Sequence, residues 1–216
     1  MRKGAIILCG GKSSRMGRDK ATLPFGPEFM LQRVVRLLGD TLSLENMVVV
    51  AAPNQSLPEL PRVVTVAHDI QEFRGPLQGL ATGIRAMPDR CDAFYATACD
   101  VPLLVPAFVE RMFELLDDYD IAVPFDGEHH HPLAAVYRPS VLAQIEVLLD
   151  SGRMRPRFLF DEVRTREIPV NELRATDPQL STLENLNYEE DYLAALSAAG
   201  FAVSPGDSAL RTEPEP

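Results

Sequence analysis

The sequence predicts an α/β domain in three layers, with helices on both faces of a mainly parallel sheet. Two observations carry this. Short apolar runs end in glycine, proline or polar residues, as buried strands do. Between them lie segments with apolar residues at helical spacing, the alternation of α/β folds. At 216 residues the chain is long enough to bury one large core, and 46% hydrophobic with 24% charged residues is ordinary for a globular protein.

The elements follow in order. GAIIL (4–8) reads as a buried strand running into glycines. FMLQRVVRLL (29–38) is a helix that stops at Gly39. MVVVAA (47–52), closed by Pro53, and RVVTVA (62–67) are strands. LQGLATGIRAM (77–87) is a helix with small residues on one side. AFYATA (93–98) is a strand, AFVERMFELL (107–116) a helix after Pro106, and DIAVP (120–124) a strand. HPLAAVYR (131–138) can form a strand, with antiparallel pairing open. SVLAQIEVLLD (140–150) is an amphipathic helix, TREIPV (165–170) a weak strand, and YEEDYLAALSAA (188–199) a terminal helix. No internal repeat or linker divides the chain, so residues 1–203 are expected to form one domain. The polar, proline-rich stretch 204–216 is expected to be a disordered tail.

In parallel sheets of this kind, ligands sit beyond the carboxyl ends of the strands. That rule singles out residues 9–20, 51–54, 68–75 and 99–102.

Charge and cysteines narrow the function classes. The formal net charge of −10 disfavours nucleic-acid binding through a broad basic face. Cys9, Cys91 and Cys99 form no even framework and no usual zinc spacing, so they read as free thiols in a reducing compartment. No apolar run reaches membrane-spanning length, and the apolar residues 5–9 are too few for a signal-peptide core. A cytoplasmic protein without membrane contact is expected.

Against that acidic background, LCGGKSSRMGRDK (8–20) stands out. It is not a P-loop, because Ile6 stands where that motif needs glycine. It is not a dinucleotide fingerprint, because Lys12 occupies the place of the second glycine. Its chemistry still suits phosphate. Gly10 and Gly11 permit positive φ and close backbone approach, and successive N–H groups can form an anion nest. Arg15 offers a planar fork and Lys20 a point charge. Composition alone leaves a solvated basic loop, or glycines serving only a tight turn, as alternatives.

LCGGKSSRMGRDKATLPFG resembles the opening of nucleotidyltransferases with the pattern L-A-G-G-x-S-x-R-M-G-x-x-K. RDKATLPFG is similar to the molybdenum cofactor guanylyltransferases within that group. RGPLQGLATGI (74–84), ACDVPLL (98–104), HPLAAVYR and ENLNYEED (184–191) resemble further segments of the same family, and the resemblance covers about residues 4–198. It implies a Rossmann-like fold of the nucleotide-diphospho-sugar transferase type. It also implies transfer of GMP from GTP to the terminal phosphate of molybdopterin, with Mg²⁺ as cofactor. The implied partners are GTP, molybdopterin or the molybdenum cofactor, and cofactor-delivery or apo-molybdoenzyme proteins. A cytidylyl- or other nucleotidyltransferase of the same fold, or a nucleotide-binding module without turnover, are the alternatives.

The resemblance also assigns roles. The backbone of Leu8, Cys9 and Gly10 would lie along purine and ribose, with Cys9 in place of the usual alanine. Arg15 and Lys20 would hold the triphosphate. Asp100 would hold Mg²⁺, although from its position alone it could equally cap the next helix. Asn187 would stand near the metal, and a helix N-cap accounts for it nearly as well. Asp69 would contact the guanine nucleotide. Ala51 stands where the family often has asparagine, with Asn54 offset. The run His129–His131 is expected to serve structure or the acceptor side rather than zinc.

Overall fold

The structure, a computed structural model, describes residues 1–10, 19–69 and 75–202. Gly11 and Arg15 of the glycine loop, and the expected tail, lie outside the described residues. From β1 (Lys3–Leu8) the chain enters a small hairpin, β2 (Pro24–Phe25) and β3 (Glu28–Phe29), and then α1 (Met30–Gly39). There follow β4 (Met47–Ala51), β5 (Thr65–His68), α2 (Gly75–Ala86), β6 (Ala93–Ala98), α3 (Pro106–Leu116), β7 (Ile121–Phe125) and β8 (Ala135–Tyr137). The C-terminal third adds α4 (Leu142–Asp150), α5 (Arg157–Phe160), β9 (Thr165–Pro169), α6 (Val170–Leu173) and α7 (Glu189–Ala198).

Seven strands form one sheet in the order β5-β4-β1-β6-β8-β7-β9. Every pairing is parallel except the two made by β8 with β6 and β7. The short connection from β7 to β8 explains the exception, because a parallel return needs a crossover of a dozen or more residues. Alternation along β1 supplies both faces: Ala5, Ile7 and Cys9 join a core with α1 and α3, while Ile6 and Leu8 join one with α2 and α4. The three layers expected from the sequence are therefore present.

The small residues of α2 have a packing reason. A Cβ at Gly79 would lie 2.8 Å from Leu8 Cδ2, and one at Gly83 2.6 Å from Ile6 Cγ2. Glycine lets α2 lie close on β1. A third apolar cluster joins Leu23, Phe25 and Met30 to Leu186, Tyr192 and Leu196, and the Tyr192 hydroxyl donates to the Pro24 carbonyl at 2.6 Å. This cluster packs the β2–β3 hairpin against α7.

Two strands begin three or more residues later than the sequence predicts. β5 begins at Thr65 rather than residue 62, because the Val64 N–H closes a turn on the Pro61 carbonyl at 2.9 Å. β8 begins at Ala135 because the Ala134 N–H bonds the His131 carbonyl at 3.1 Å, turning residues 131–134 away from the ladder.

Candidate active site

The parallel strands β5, β4, β1 and β6 all end at one edge of the sheet. Backbone bonds continue past that edge. The Cys9 N–H donates to the Val50 carbonyl at 2.9 Å, the Cys99 N–H to Leu8 at 3.0 Å, and the Asp69 N–H to Ala51 at 2.9 Å. Cys9, Ala52, Asp69 and Asp100 thus line one rim.

Lys20 reaches this rim from a 3₁₀ turn, Lys20–Thr22. Asp19 caps that turn by accepting the Ala21 N–H on Oδ1 at 2.9 Å. Lys20 Nζ donates to Asp100 Oδ2 at 2.7 Å and to Asn187 Oδ1 at 3.1 Å. Asn187 is brought in by the extended segment before α7, whose Leu186 N–H donates to the Asp100 carbonyl at 3.0 Å. Three residues far apart in sequence therefore converge.

Helix capping accounts for neither carboxylate nor amide. α3 begins at Pro106 with Val105 as its N-cap, well past Asp100. At α7, Asp191 Oδ2 accepts the N–H groups of Asn187 and Tyr188 at 3.0 and 2.9 Å, leaving the Asn187 side chain turned to Lys20.

The Lys20 and Asp100 side chains are only 17% and 11% exposed. Asp100 Oδ1 is buried and has no hydrogen-bond partner among the described residues. A buried carboxylate oxygen without a partner is costly unless a ligand completes it. The Asn187 side-chain oxygen shares Lys20 Nζ with the other oxygen of Asp100. Oxygen donors of this kind fit Mg²⁺, which takes one or two protein carboxylates and fills its sphere with phosphate and water oxygens. Among the described residues no group of three or more His, Cys, Asp or Glu side chains converges as a metal cage.

Asp69 is on the same rim but apart from this cluster. Its Oδ1 accepts the Thr82 hydroxyl of α2 at 2.6 Å. Burial raises its pKa, with the Thr82 bond opposing. Leu8 and Cys9 are buried and Gly10 is exposed. The expectation for Gly10 needs correction. It is not among the positive-φ glycines, and an added Cβ would meet Ala52 at an ordinary 3.5 Å. Nothing among the described residues demands glycine there.

The Cys9 thiol is held well above its ordinary pKa, first by the neighbouring Cys99 thiol and then by burial. A protonated, buried thiol is a poor nucleophile. The three cysteines are all free. Two members of the histidine run make contacts within the fold. The His130 ring lies tilted against Phe125 and Phe160 at centroid distances of 4.8 and 4.9 Å, and its Nε2 lies 2.6 Å from Glu167 Oε1. His131 faces Asp126 at 3.4 Å, and its pKa is lowered by burial. These contacts tie the β7–β8 turn to α5 and β9.

Sequence reasoning missed Gln55. Its side chain lies at the same rim, one residue beyond the 51–54 segment that the carboxyl-edge rule singled out. It bonds Ala52, Cys9 and Asp19. No periodicity marks a lone glutamine in a loop, so only its nearness to that segment pointed to it.

Comparisons with known proteins give the family and the fold. The family model described as MobA-like NTP transferase domain matches residues 5–167. A probable molybdenum cofactor guanylyltransferase of Mycobacterium avium is 36% identical over 205 residues, covering 92% of this chain and 97% of the relative. A molybdenum cofactor guanylyltransferase of Desulfosudis oleivorans is 34% identical, covering 89% and 94%. Among solved structures, molybdopterin-guanine dinucleotide biosynthesis protein A from Archaeoglobus fulgidus superposes with a TM-score of 0.73 at 18% identity, covering 92% of this chain and 98% of that one. The 2-C-methyl-D-erythritol 4-phosphate cytidylyltransferase of Thermus thermophilus has the same fold, with a TM-score of 0.64 at 13% identity and coverage of 92% and 99%. The chain belongs to the MobA-like NTP transferase family, the nucleotidyltransferases that include the molybdenum cofactor guanylyltransferases.

Proposed function

We infer that the chain transfers GMP from GTP to the terminal phosphate of molybdopterin, releasing pyrophosphate and forming the guanine dinucleotide cofactor. The observation that carries this reading is the convergence of Lys20, Asp100 and Asn187 at the carboxyl edge of the sheet, with Asp100 Oδ1 unpartnered among the described residues. The names of the curated relatives support guanine as the base and molybdopterin as the acceptor.

The chemistry needs little from the protein beyond placement and charge. A terminal phosphate oxygen of the acceptor attacks the α-phosphorus of GTP. A P–O bond forms there, the bond to the β-phosphate oxygen breaks, and pyrophosphate leaves with the electron pair. The attacking phosphate is already largely ionised near pH 7, its second pKa being about 6. No general base is required, and the protonated Cys9 is not asked to act as one. Lys20 sets its ammonium where triphosphate charge develops, and Arg15 joins it by the family resemblance. Leu8, Cys9 and Gly10 offer backbone to the nucleoside, and Asp69 offers a carboxylate to the guanine nucleotide. Asp100 and Asn187 would hold Mg²⁺, which when bound supplies charge neutralisation to the phosphate oxygens.

The test is incubation of the purified chain with Mg²⁺, molybdopterin and an equimolar mixture of GTP and CTP, with the product read by mass. The guanine dinucleotide should dominate. A cytosine dinucleotide as the main product would reassign the base, and no dinucleotide at all would reject the reaction.

A further inference from the structure

The loop after β4 places one half-buried amide, Gln55, against both flanks of the glycine-rich stretch. Gln55 Oε1 accepts the Ala52 N–H at 2.9 Å. Its Nε2 donates to the Cys9 carbonyl at 3.2 Å and to Asp19 Oδ2 at 2.7 Å. The amide's orientation is forced. The Ala52 N–H can only donate, while the Cys9 carbonyl and a carboxylate can only accept, so a flipped amide would lose all three bonds.

Cys9 and Asp19 are the two ends between which the glycine and basic residues run. One side chain thus joins Cys9 to Asp19. Asp19 is also the cap of the turn that carries Lys20, through its other oxygen. The bonds therefore form a continuous path from Ala52 through Gln55 and Asp19 to the turn of Lys20, whose ammonium meets Asp100 and Asn187.

We propose that Gln55 is a positioning residue for nucleotide binding. It sets the separation of Cys9 and Asp19, and through Asp19 it aims Lys20 at the triphosphate. This rests on the reading of the rim as the GTP site. Gln55 itself touches neither reacting atom. A carboxylate in its place would keep the Ala52 bond and oppose both other partners, which separates bonding from mere bulk.

The experiment compares the native full chain with Gln55→Ala, Gln55→Glu, Asp19→Asn and the double variant Gln55→Glu/Asp19→Asn. GTP affinity with Mg²⁺ is measured by calorimetry, transfer kinetics at varied GTP and varied molybdopterin, and thermal unfolding on the same samples. Gln55→Ala should weaken GTP binding about tenfold, as expected for losing a bond to a charged group. The KM for molybdopterin should hold near native, while the Tm falls by a few degrees from the three lost bonds. Gln55→Glu should bind GTP more weakly still. The double variant should recover part of that loss, because an asparagine amide at position 19 can donate to the new carboxylate.

Native GTP affinity in Gln55→Ala overturns the proposal, as does a double variant no better than Gln55→Glu alone. A fall in Tm with equal losses for GTP and molybdopterin also overturns it, since that is general loosening. Should Gln55→Glu not fold, Gln55→Ala decides by the same split between GTP affinity and the KM for molybdopterin. A native chain that binds no GTP would reject the functional reading itself and this inference with it.

Discussion

Lys20→Met removes one ammonium and keeps most of the side-chain stem, so its effect isolates charge. In the native chain that ammonium sits 2.7 Å from Asp100 Oδ2 and 3.1 Å from Asn187 Oδ1. Asp100 Oδ1 has no partner among the described residues, so the variant leaves the carboxylate without its cation. Breaking a fully buried ion pair costs about 3–5 kcal/mol. Here both side chains keep some exposure, 17% and 11%, and water can enter beside the shorter methionine. A loss of about 2–3 kcal/mol in the absence of metal is expected, in the range for hydrogen bonds to charged groups. For a chain of this size that is a fall in Tm of about 4–12 °C. Mg²⁺ should then stabilise the variant more than the native chain, because in the native chain Lys20 competes for Asp100. GTP affinity should fall by about tenfold or more. Near-UV circular dichroism melts with and without Mg²⁺, paired with GTP titration, read all three effects. Equal Tm, equal response to Mg²⁺ and equal GTP affinity in both proteins would refute the reasoning.

Three further perturbations test other parts of the account. Asp100→Asn should stay folded yet lose transfer activity by about 10²–10³-fold, the scale for losing one preorganised electrostatic group; native turnover in the folded variant would reject Asp100 as a metal-site residue. Asp69→Asn should raise stability at neutral pH. The buried Asp69 carboxyl has a pKa raised above its ordinary 3.8, so its contribution to stability is present below that value and is lost as pH rises through the raised value. The variant's advantage in Tm should therefore vanish as the pH approaches 4, the ordinary carboxylate range, and a pH-independent difference would contradict this. Gly83→Ala should destabilise by about 1–3 kcal/mol in urea unfolding, because its Cβ would come within 2.6 Å of Ile6 Cγ2; native stability would show that α2 lifts off the sheet at no cost.

The central strands were legible because burial on both faces leaves an unbroken apolar run. β6 (Ala93–Ala98) coincides with AFYATA residue for residue. The hairpin of β2 and β3 was not legible, since two residues per strand carry no period and its turn rests on Gly26 at φ +63°. α5, four residues after a basic, proline-bearing stretch, was invisible for the same reason. At the site, Asp100 and Lys20 could be marked from the carboxyl-edge rule and the motif. Asn187 had two readings in the sequence, because an asparagine just before a helix resembles a cap; only the position of Asp191 three to four residues on shows which side chain does the capping. Gln55 acts through bonds to residues 36 and 46 positions earlier, a relation that no local pattern encodes.

The central claim is attack on the α-phosphorus of GTP at the rim of Lys20, Asp100 and Asn187. Incubation of the native chain and of Asp100→Asn with Mg²⁺, molybdopterin and GTP labelled at either the α- or the γ-phosphate tests it most directly. The α-label should enter the pterin product and the γ-label leave in pyrophosphate, with the native chain active and the variant nearly silent. Transfer of the γ-label to the pterin, or equal α-label transfer by both proteins, would contradict it.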